Sequence, residues 1–576
     1  MLLLSDKWRV WSAKEYDFII VGGGAAGCLL ANRLSAVPEW SVLLIEAGGE
    51  ESILQDIPLL ASQLQLTPAN WFYKTEKSNT ACLGLKGERC NWPRGKVLGG
   101  STVLNYMVFI RGNPRDYDLW AALGNLGWSY EEVLHYFLKF ERMLIPELVN
   151  DTFYHSTEGD LPISRAPYRT VAARAFLSAA QELGKNIVDY NGQDQVGYSF
   201  VQSTVKDGFR VSSNTAFLKP IRLRNNLDVL IRCQVTKVLI DPVSRTAYGV
   251  EYQSLLSYST SNVLARKEVI LSAGAINSPQ LLMLSGIGPR EHLHELGIPV
   301  LQDSNVGYNL QDHIALGNLF FTVNDSITTR VDNLIEDTLS IAQLFTLNDG
   351  KFSITGGVEA LGFEDINGDG VPDMELIFTS LTLASFPGSW VTWGGNLDIY
   401  FDSYTKFPFL DVFAIFPILM HPRSIGRLKL RSKDPFAKPL IFHNYLTHYE
   451  DVYFMIEGIK RAIRLSETEA FRKYGAQVYR RPIIPCRHLP FGSDAYWECC
   501  IRHMTFTFYH PSGTCKMGPY YDPNAVVDPA LRVYGVRNLR VIDASVMPTI
   551  PTAHIAAPTF LIAEKGADMV RRYWGR

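Results

Sequence analysis

The chain is 576 residues long, sets 55 Lys and Arg against 58 Asp and Glu for a formal net charge of −3, and is 47% hydrophobic. That length calls for a large core shared by two substructures, which need not be consecutive in sequence. Balanced charge without a basic run excludes a nucleic-acid partner, and no apolar run reaches the ~18 residues needed to span a bilayer.

At the N-terminus, Met1-Leu-Leu-Leu-Ser-Asp-Lys is too short an apolar stretch for a secretory signal. The expectation is a cytoplasmic protein or one whose leader precedes this numbering. The first strong element is Asp17-Phe-Ile-Ile-Val-Gly22-Gly23-Gly24-Ala25-Ala26-Gly27, an apolar strand entering a three-glycine turn and then the helix Cys28–Leu34. This pattern predicts a pyrophosphate cradle. Gly22 permits the bend, Gly24 brings the backbone close to the phosphates, and Gly27 lets the helix pack on the strand with its free N–H groups toward the anion. The next strand ends on Glu46, placed to accept hydrogen bonds from an adenosine ribose and to repel the 2′-phosphate of NADP. Together these elements predict a bound dinucleotide, without separating NAD from FAD.

Cys82 and Cys90 flank a turn-prone loop, where a disulfide contributes about 2.5 kcal/mol in the chain-entropy model. A second glycine-rich segment, Arg94-Gly-Lys-Val-Leu-Gly99-Gly100-Ser101-Thr-Val-Leu-Asn105, reads as another backbone approach to the same cofactor. Helices are expected at Asp116–Leu123 and at Tyr130–Arg142, the latter with Ser129 as N-cap. Strands are expected at Asp228–Arg232, Val235–Asp241, Ala247–Tyr252 and Glu268–Gly274. The last has the composition of a parallel-sheet strand and feeds a helix with Ser278 as N-cap and Pro279 at its first position.

From about Val323 to Arg427, runs such as Met374-Glu-Leu-Ile-Phe and Val412-Phe-Ala-Ile-Phe-Pro predict a separate, more antiparallel sheet. Within it, Asp365-Ile-Asn-Gly-Asp-Gly370 copies half a calcium loop, but Leu376 stands where a bidentate Glu is required, so no metal is expected. The absence of a Cys-x-x-Cys pair points the same way. A long helix is expected at Glu450–Arg464, and Cys486 is expected to bridge Cys499 or Cys500. With the sequons at Asn150 and Asn324, these cysteines favour a secretory or extracellular protein, with the cytoplasm as the alternative. Phe506–Tyr509 either lines a pocket or fills core, and Cys515 reads as a small packed side chain. Leu539–Met547 returns a strand to the first sheet, closed by the helix Ala557–Arg571. The fold class is α/β, a Rossmann-like parallel-sheet domain interleaved with a second, largely antiparallel-sheet domain with helices.

With these motifs in order, the chain resembles the glucose–methanol–choline (GMC) family of FAD-dependent oxidoreductases, in its arthropod glucose-dehydrogenase-like branch, from about Tyr16 to Val570. The marks are the glycine fingerprint, Pro93–Ser101, Gly274–Pro289, Asn305-Val-Gly-Tyr-Asn-Leu-Gln-Asp-His313 and His510-Pro-Ser-Gly-Thr-Cys-Lys-Met-Gly518. The resemblance implies FAD and three segments. Residues 16–314 form the FAD-binding region, 315–522 the substrate-binding sheet and helices, with the C-terminal family region starting near 425, and 523–576 return to the FAD domain. It places Gly99, Gly100, Ser101 and Asn105 along the isoalloxazine, Val235 near the adenine, and Asp543 with Ala544 at the ribityl–pyrophosphate. Ala25, Ala26, Arg94, Ala273 and Ile555 join the expected cofactor contacts.

The resemblance also makes His510 and His554 the catalytic pair, although each taken alone reads as an ordinary polar or core histidine. A carbinol C–H passed to flavin N5 leaves an O–H proton, which a neutral imidazole removes, and His510 is the expected base. His554 is expected to orient the alcohol oxygen, and because it can titrate where many relatives carry Asn, a shared-base mechanism stays open. Catalytic efficiency is then expected to rise through an ionisation near neutrality. The implied reaction oxidises a small-molecule alcohol, sugar, sterol, aromatic or aliphatic, and passes electrons to a quinone-like acceptor or O₂. The alternatives are a hydroxynitrile-lyase-like cleavage on the same fold with structural FAD, and a flavin-binding protein without turnover. No oligomeric state is readable from the residues.

Overall fold

The computed structural model describes residues 15–336 and 338–576, and the Met1–Lys7 stretch lies outside them. The chain opens with β1 (Glu15–Val21), α1 (Ala25–Leu34) and β2 (Val42–Ile45), the helix starting directly after Gly24. Two helices follow, α2 (Pro114–Ala122) and α3 (Tyr130–Phe140). In the capping box of α2 the Asn113 side chain accepts from the Arg115 amide while Asp116 accepts from the Asn113 amide. α3 stops short of Arg142 because Glu141–Met143 pairs as a strand with Leu161–Ile163. Five strands come next: β3 (Gly197–Phe200), β4 (Leu227–Leu230), β5 (Cys233–Asp241), β6 (Thr246–Ser254) and β7 (Thr260–Leu271). Then come α4 (Gly274–Leu284), β8 (Ile314–Leu316), β9 (Phe320–Thr322), β10 (Val358–Glu364), β11 (Met374–Thr379) and β12 (Val412–Leu419). The chain closes with α5 (Tyr449–Ser466), β13 (Gln477–Val478), α6 (Asp494–Met504), β14 (Thr505–Thr507), β15 (Leu539–Val541) and α7 (Ala556–Tyr573).

One sheet has the order β4–β2–β1–β7–β6–β5, with β15 added on β7. β1 pairs in parallel with β2 and β7, and its Phe18, Ile19 and Ile20 are fully buried between layers. Each such side chain contributes roughly 1.5–3 kcal/mol through burial. The register sets Val21 opposite both Ile45 and Leu271, and Leu271 opposite Val541. Gly22, Glu46, Ser272 and Ile542 therefore leave the sheet along one edge. This is the crevice outside the carboxyl ends where open α/β sheets bind ligands.

The second sheet, β13–β9–β12–β11–β10–β3 with β8 and β14 at its side, is antiparallel throughout. It takes one strand, β3, from far upstream. β10, β11 and β12 are buried on both faces, and α5 packs on β11 and β12.

The start of α4 differs from the expected one. Its first residue is Gly274, and Pro279 lies inside it. Proline lacks the amide that would bond the Ala275 carbonyl, and the Thr514 hydroxyl donates to that carbonyl instead, at 2.7 Å. Ser278 is no N-cap of a helix starting at Pro279. Its hydroxyl accepts from the Ala273 amide and donates to Asp543.

Disulfides join Cys82 to Cys90 and Cys486 to Cys499, while Cys28, Cys233, Cys500 and Cys515 are free and buried. Neighbours on α6 point about 100° apart, so Cys499 faces Cys486 and Cys500 turns into the core. His443 and His503 stand beside the two disulfides, whose sulfurs offer no thiolate to a metal. Opening the Cys486–Cys499 bridge with Cys499→Ser should cost about 3 kcal/mol, read as a lower urea midpoint with an unchanged flavin content. In the calcium-like loop, Asp365 accepts from the Gly368 and Gly370 amides and Asp373 from the Ile366 and Asn367 amides, so the carboxylates hold the β10–β11 turn.

Candidate active site

One cavity runs from the crevice of the first sheet to the inner face of the second. Among the expected site residues, Gly22, Gly24, Ala25, Ala26 and Glu46 line it at one end. Arg94, Gly100, Ser101, Asn105 and Val235 line its flanks, with Ala273, Asp543 and Ala544. His510, His554 and Ile555 line it where the two sheets meet. Gly27 and Gly99 are not among the residues that line it. A Cβ on Gly27 would lie 1.8 Å from the Gly22 carbonyl oxygen, so its hydrogen lets α1 close on the strand. Gly99 turns the chain at φ +95° and donates its amide to the Gly23 carbonyl, locking the two glycine segments together.

Those segments meet at Gly24 and Gly100, where a Cβ on Gly100 would lie 2.6 Å from the Gly24 Cα. Glu46 is buried, and its carboxylate accepts from the Gly23 and Gly48 amides at 2.8 and 2.7 Å. Burial pushes it up to about 7, against the pull of those two amides. Asp543 accepts from the Gly274 amide, the Ser278 hydroxyl and the Ser545 amide, so it ties the start of α4 to the final strand's turn. Asn105 accepts from Arg210 at 2.7 Å, and Arg94 donates to the Tyr509 carbonyl at 2.9 Å.

The histidine end is built by four elements. Tyr509, just before His510, has φ +67°, a conformation that costs a non-glycine residue free energy. Asp312 stabilises this bend by accepting from the His510 amide at 2.8 Å, the Thr507 hydroxyl and the Tyr445 hydroxyl. Burial raises Asp312 to about 7. The rings of His510 and His554 lie 4.8 Å apart, and Phe508 packs edge-on against both.

Two further residues decide how these rings are held. His313 Nε2 lies 3.0 Å from the Met420 carbonyl, and its Nδ1 lies 2.9 Å from Nδ1 of His510. Burial first, and then neighbouring imidazoles, hold both His313 and His510 well below the ordinary histidine range, so both rings are neutral. A carbonyl only accepts, so His313 donates Nε2–H to Met420 and accepts at Nδ1 from Nδ1–H of His510. That leaves Nε2 of His510 as a bare acceptor. On the other side, Glu375 of β11 is fully buried, with Oε2 3.2 Å from Nε2 of His554 and Oε1 without a protein partner. His313 closes the Asn305–His313 motif, and Glu375 is a carboxylate inside an apolar strand. Those were their signals in the sequence, but nothing local showed which histidine either would meet.

A GMC oxidoreductase model matches residues 16–315, and a second, for the C-terminal part, matches residues 422–563. The chain belongs to the GMC oxidoreductase family. It is 42% identical over 575 residues to a glucose dehydrogenase (FAD, quinone) of Drosophila pseudoobscura pseudoobscura, covering 99% of this chain and 89% of that one. It is 35% identical over 581 residues to an ecdysone oxidase of Bombyx mori, covering 99% and 85% of the two chains. The crystal structure of pyridoxine 4-oxidase from Mesorbium loti matches with a TM-score of 0.81 at 28% identity, covering 97% of this chain and 99% of that one. As a GMC oxidoreductase the chain is an FAD-dependent enzyme acting on CH–OH donors. The cavity fits that cofactor. Gly22, Gly24 and Gly100 bare the backbone around it, a Cβ on Gly274 would meet nothing within 4 Å, and Glu46 retains lone pairs for a diol. Among the described residues no helix is long and apolar enough to cross a membrane.

Proposed function

We propose that this enzyme oxidises an alcohol with His510 as general base and His554 as the group that orients the alcohol oxygen. The observation that carries this reading is the bare Nε2 of His510, held in that tautomer by His313, 4.8 Å ring to ring from His554 in the cofactor cavity. FAD, when bound, supplies the two-electron acceptor for the carbinol C–H. His510 takes the hydroxyl proton at Nε2, and burial of the pair excludes water that would compete for it. His554 presents its Nδ1 edge to the oxygen, because Glu375 occupies Nε2. The contact between Glu375 and Nε2 fixes the orientation of the His554 ring toward the alcohol oxygen. The same residues, with Glu46, Asp543, Ser101, Asn105 and Val235, make up the proposed cofactor and substrate site.

We also propose a quinone-like acceptor or O₂ for the electrons and a secretory or extracellular setting. The similarity to the Drosophila glucose dehydrogenase (FAD, quinone) supports the former, and the two disulfides support the latter. Anaerobic mixing of the yellow protein with alcohols tests the reaction. Bleaching supports oxidation, whereas carbonyl product without bleaching overturns it in favour of a lyase.

The burial of His510 moves the expected pH dependence. With its folded value well below 6.5, the neutral base persists through neutrality. Catalytic efficiency should then be level from about pH 6.5 to 8 and fall only on the acid side. This displaces the near-neutral ionisation expected from an unperturbed imidazole. A profile still climbing above about pH 7 would assign the proton to another group.

A further inference from the structure

The proposed oxidation leaves the substrate's body to be accommodated by the second sheet, and that wall is mostly hydrocarbon. We infer that the substrate is a lipophilic alcohol with a single hydroxyl, alkyl or aryl, and not a sugar; this rests on the alcohol-oxidising reading above. Glu375, Ile377 and Thr379 share one face of β11 because alternate residues of a strand do. Glu375 meets His554, so Ile377 and Thr379 lie next along the substrate's path. Phe416 sits opposite Ile377 on β12, and Val358 opposite Thr379 on β10, and all four line the cavity. Leu381 and Leu383 extend the wall, and Phe508 closes it against the histidines.

Two polar atoms beside this wall, Oε1 of Gln65 and Oε1 of Glu375, are without a protein partner, too few for the hydroxyls of a sugar, and others are already paired. The Thr379 hydroxyl donates to the Leu381 carbonyl, and the Tyr509 phenol is paired with Gln65. Tyr106 presents its ring face to Tyr509, with centroids 6.4 Å apart and planes 11° apart. An alcohol with one hydroxyl places that group on the two imidazoles and everything else on apolar surface. A hexose brings a hydroxyl on nearly every carbon, and each one buried here without a partner weakens binding roughly tenfold or more.

The test is anaerobic bleaching of the yellow holoenzyme by hexanol, benzyl alcohol, cyclohexanol and glucose, compared as kcat/KM. At least one of the three simple alcohols should exceed glucose by about 100-fold, two unmatched hydroxyls' worth. Calorimetry supplies a readout free of turnover. Tert-amyl alcohol, which has no carbinol hydrogen to lose, should bind, and sorbitol should not. Ile377→Asn should lower kcat/KM for hexanol about tenfold while the flavin content is retained. Bleaching by glucose as fast as by any simple alcohol, or tighter binding of sorbitol, overturns the inference and leaves the oxidation reading standing. Bleaching by none of the four overturns the oxidation reading itself, and the inference with it.

Discussion

Replacing His510 with Ala should slow flavin reduction by roughly 10²–10⁴ while the purified protein stays yellow. The size follows from the bonding. His510 offers the cavity one unprotonated nitrogen, Nε2, because its other nitrogen is donated to His313 at 2.9 Å. His554, held at Nε2 by Glu375, keeps its orienting position and does not move into the place His510 leaves. The colour should survive because the glycine turns that form the cradle lie at the other end of the cavity. Stopped-flow reduction by a good substrate measures the effect, and a rate within threefold of the parent would remove His510 from the mechanism. Phe should not replace His313 harmlessly either. Losing that acceptor frees the His510 proton to move between nitrogens, so His313→Phe should lower kcat more than it raises KM.

The second large effect lies at the cofactor end. Gly22→Ala should give protein with at least tenfold less bound flavin, measured as flavin absorbance per polypeptide after gel filtration. Gly22 sits at φ +101°, and a Cβ there would lie 2.6 Å from the Ser272 carbonyl oxygen and 2.9 Å from the Ala273 Cα. Neither neighbour can retreat freely, because the Ser272 amide bonds the Val21 carbonyl at 2.8 Å and so holds the end of β7 beside β1. The strain of the positive φ, about 1–3 kcal/mol, adds to a displacement of the turn proposed to face the phosphates. Gly87→Ala separates the two causes. That glycine has φ +72° but nothing within 4 Å of its Cβ position, so it carries the strain without the crowding and should keep its flavin. If both variants are equally yellow, close backbone approach at Gly22 is not what holds the cofactor.

The crevice was legible in the sequence because its chemistry is local. A strand, a three-glycine turn and a helix are contiguous, and the glycine positions follow from backbone sterics that three or four residues decide. The second sheet was legible from its runs of strand-forming residues, but its burial was not: β10, β11 and β12 are buried on both faces, like the strands of the parallel sheet. The bonding of Gly99 was less legible, since its amide donates to the Gly23 carbonyl and only that partner, 76 positions upstream, reveals it. The start of α4 went the same way. Pro279 is tolerated inside the helix because Thr514, 239 positions away, supplies the missing donor.

The sequence by itself determined that two histidines near the C-terminus and a dinucleotide cradle near the N-terminus belong to one chain. Tertiary structure alone decided that His313 fixes the tautomer of His510, that Glu375 takes one edge of His554, and that Cys499 and not Cys500 faces Cys486. The physical reason is range. Turn and strand propensities are settled by neighbours in the chain, whereas the proton on a buried imidazole is placed by whichever donor or acceptor packing brings within about 3 Å of each nitrogen, from however far along the polypeptide.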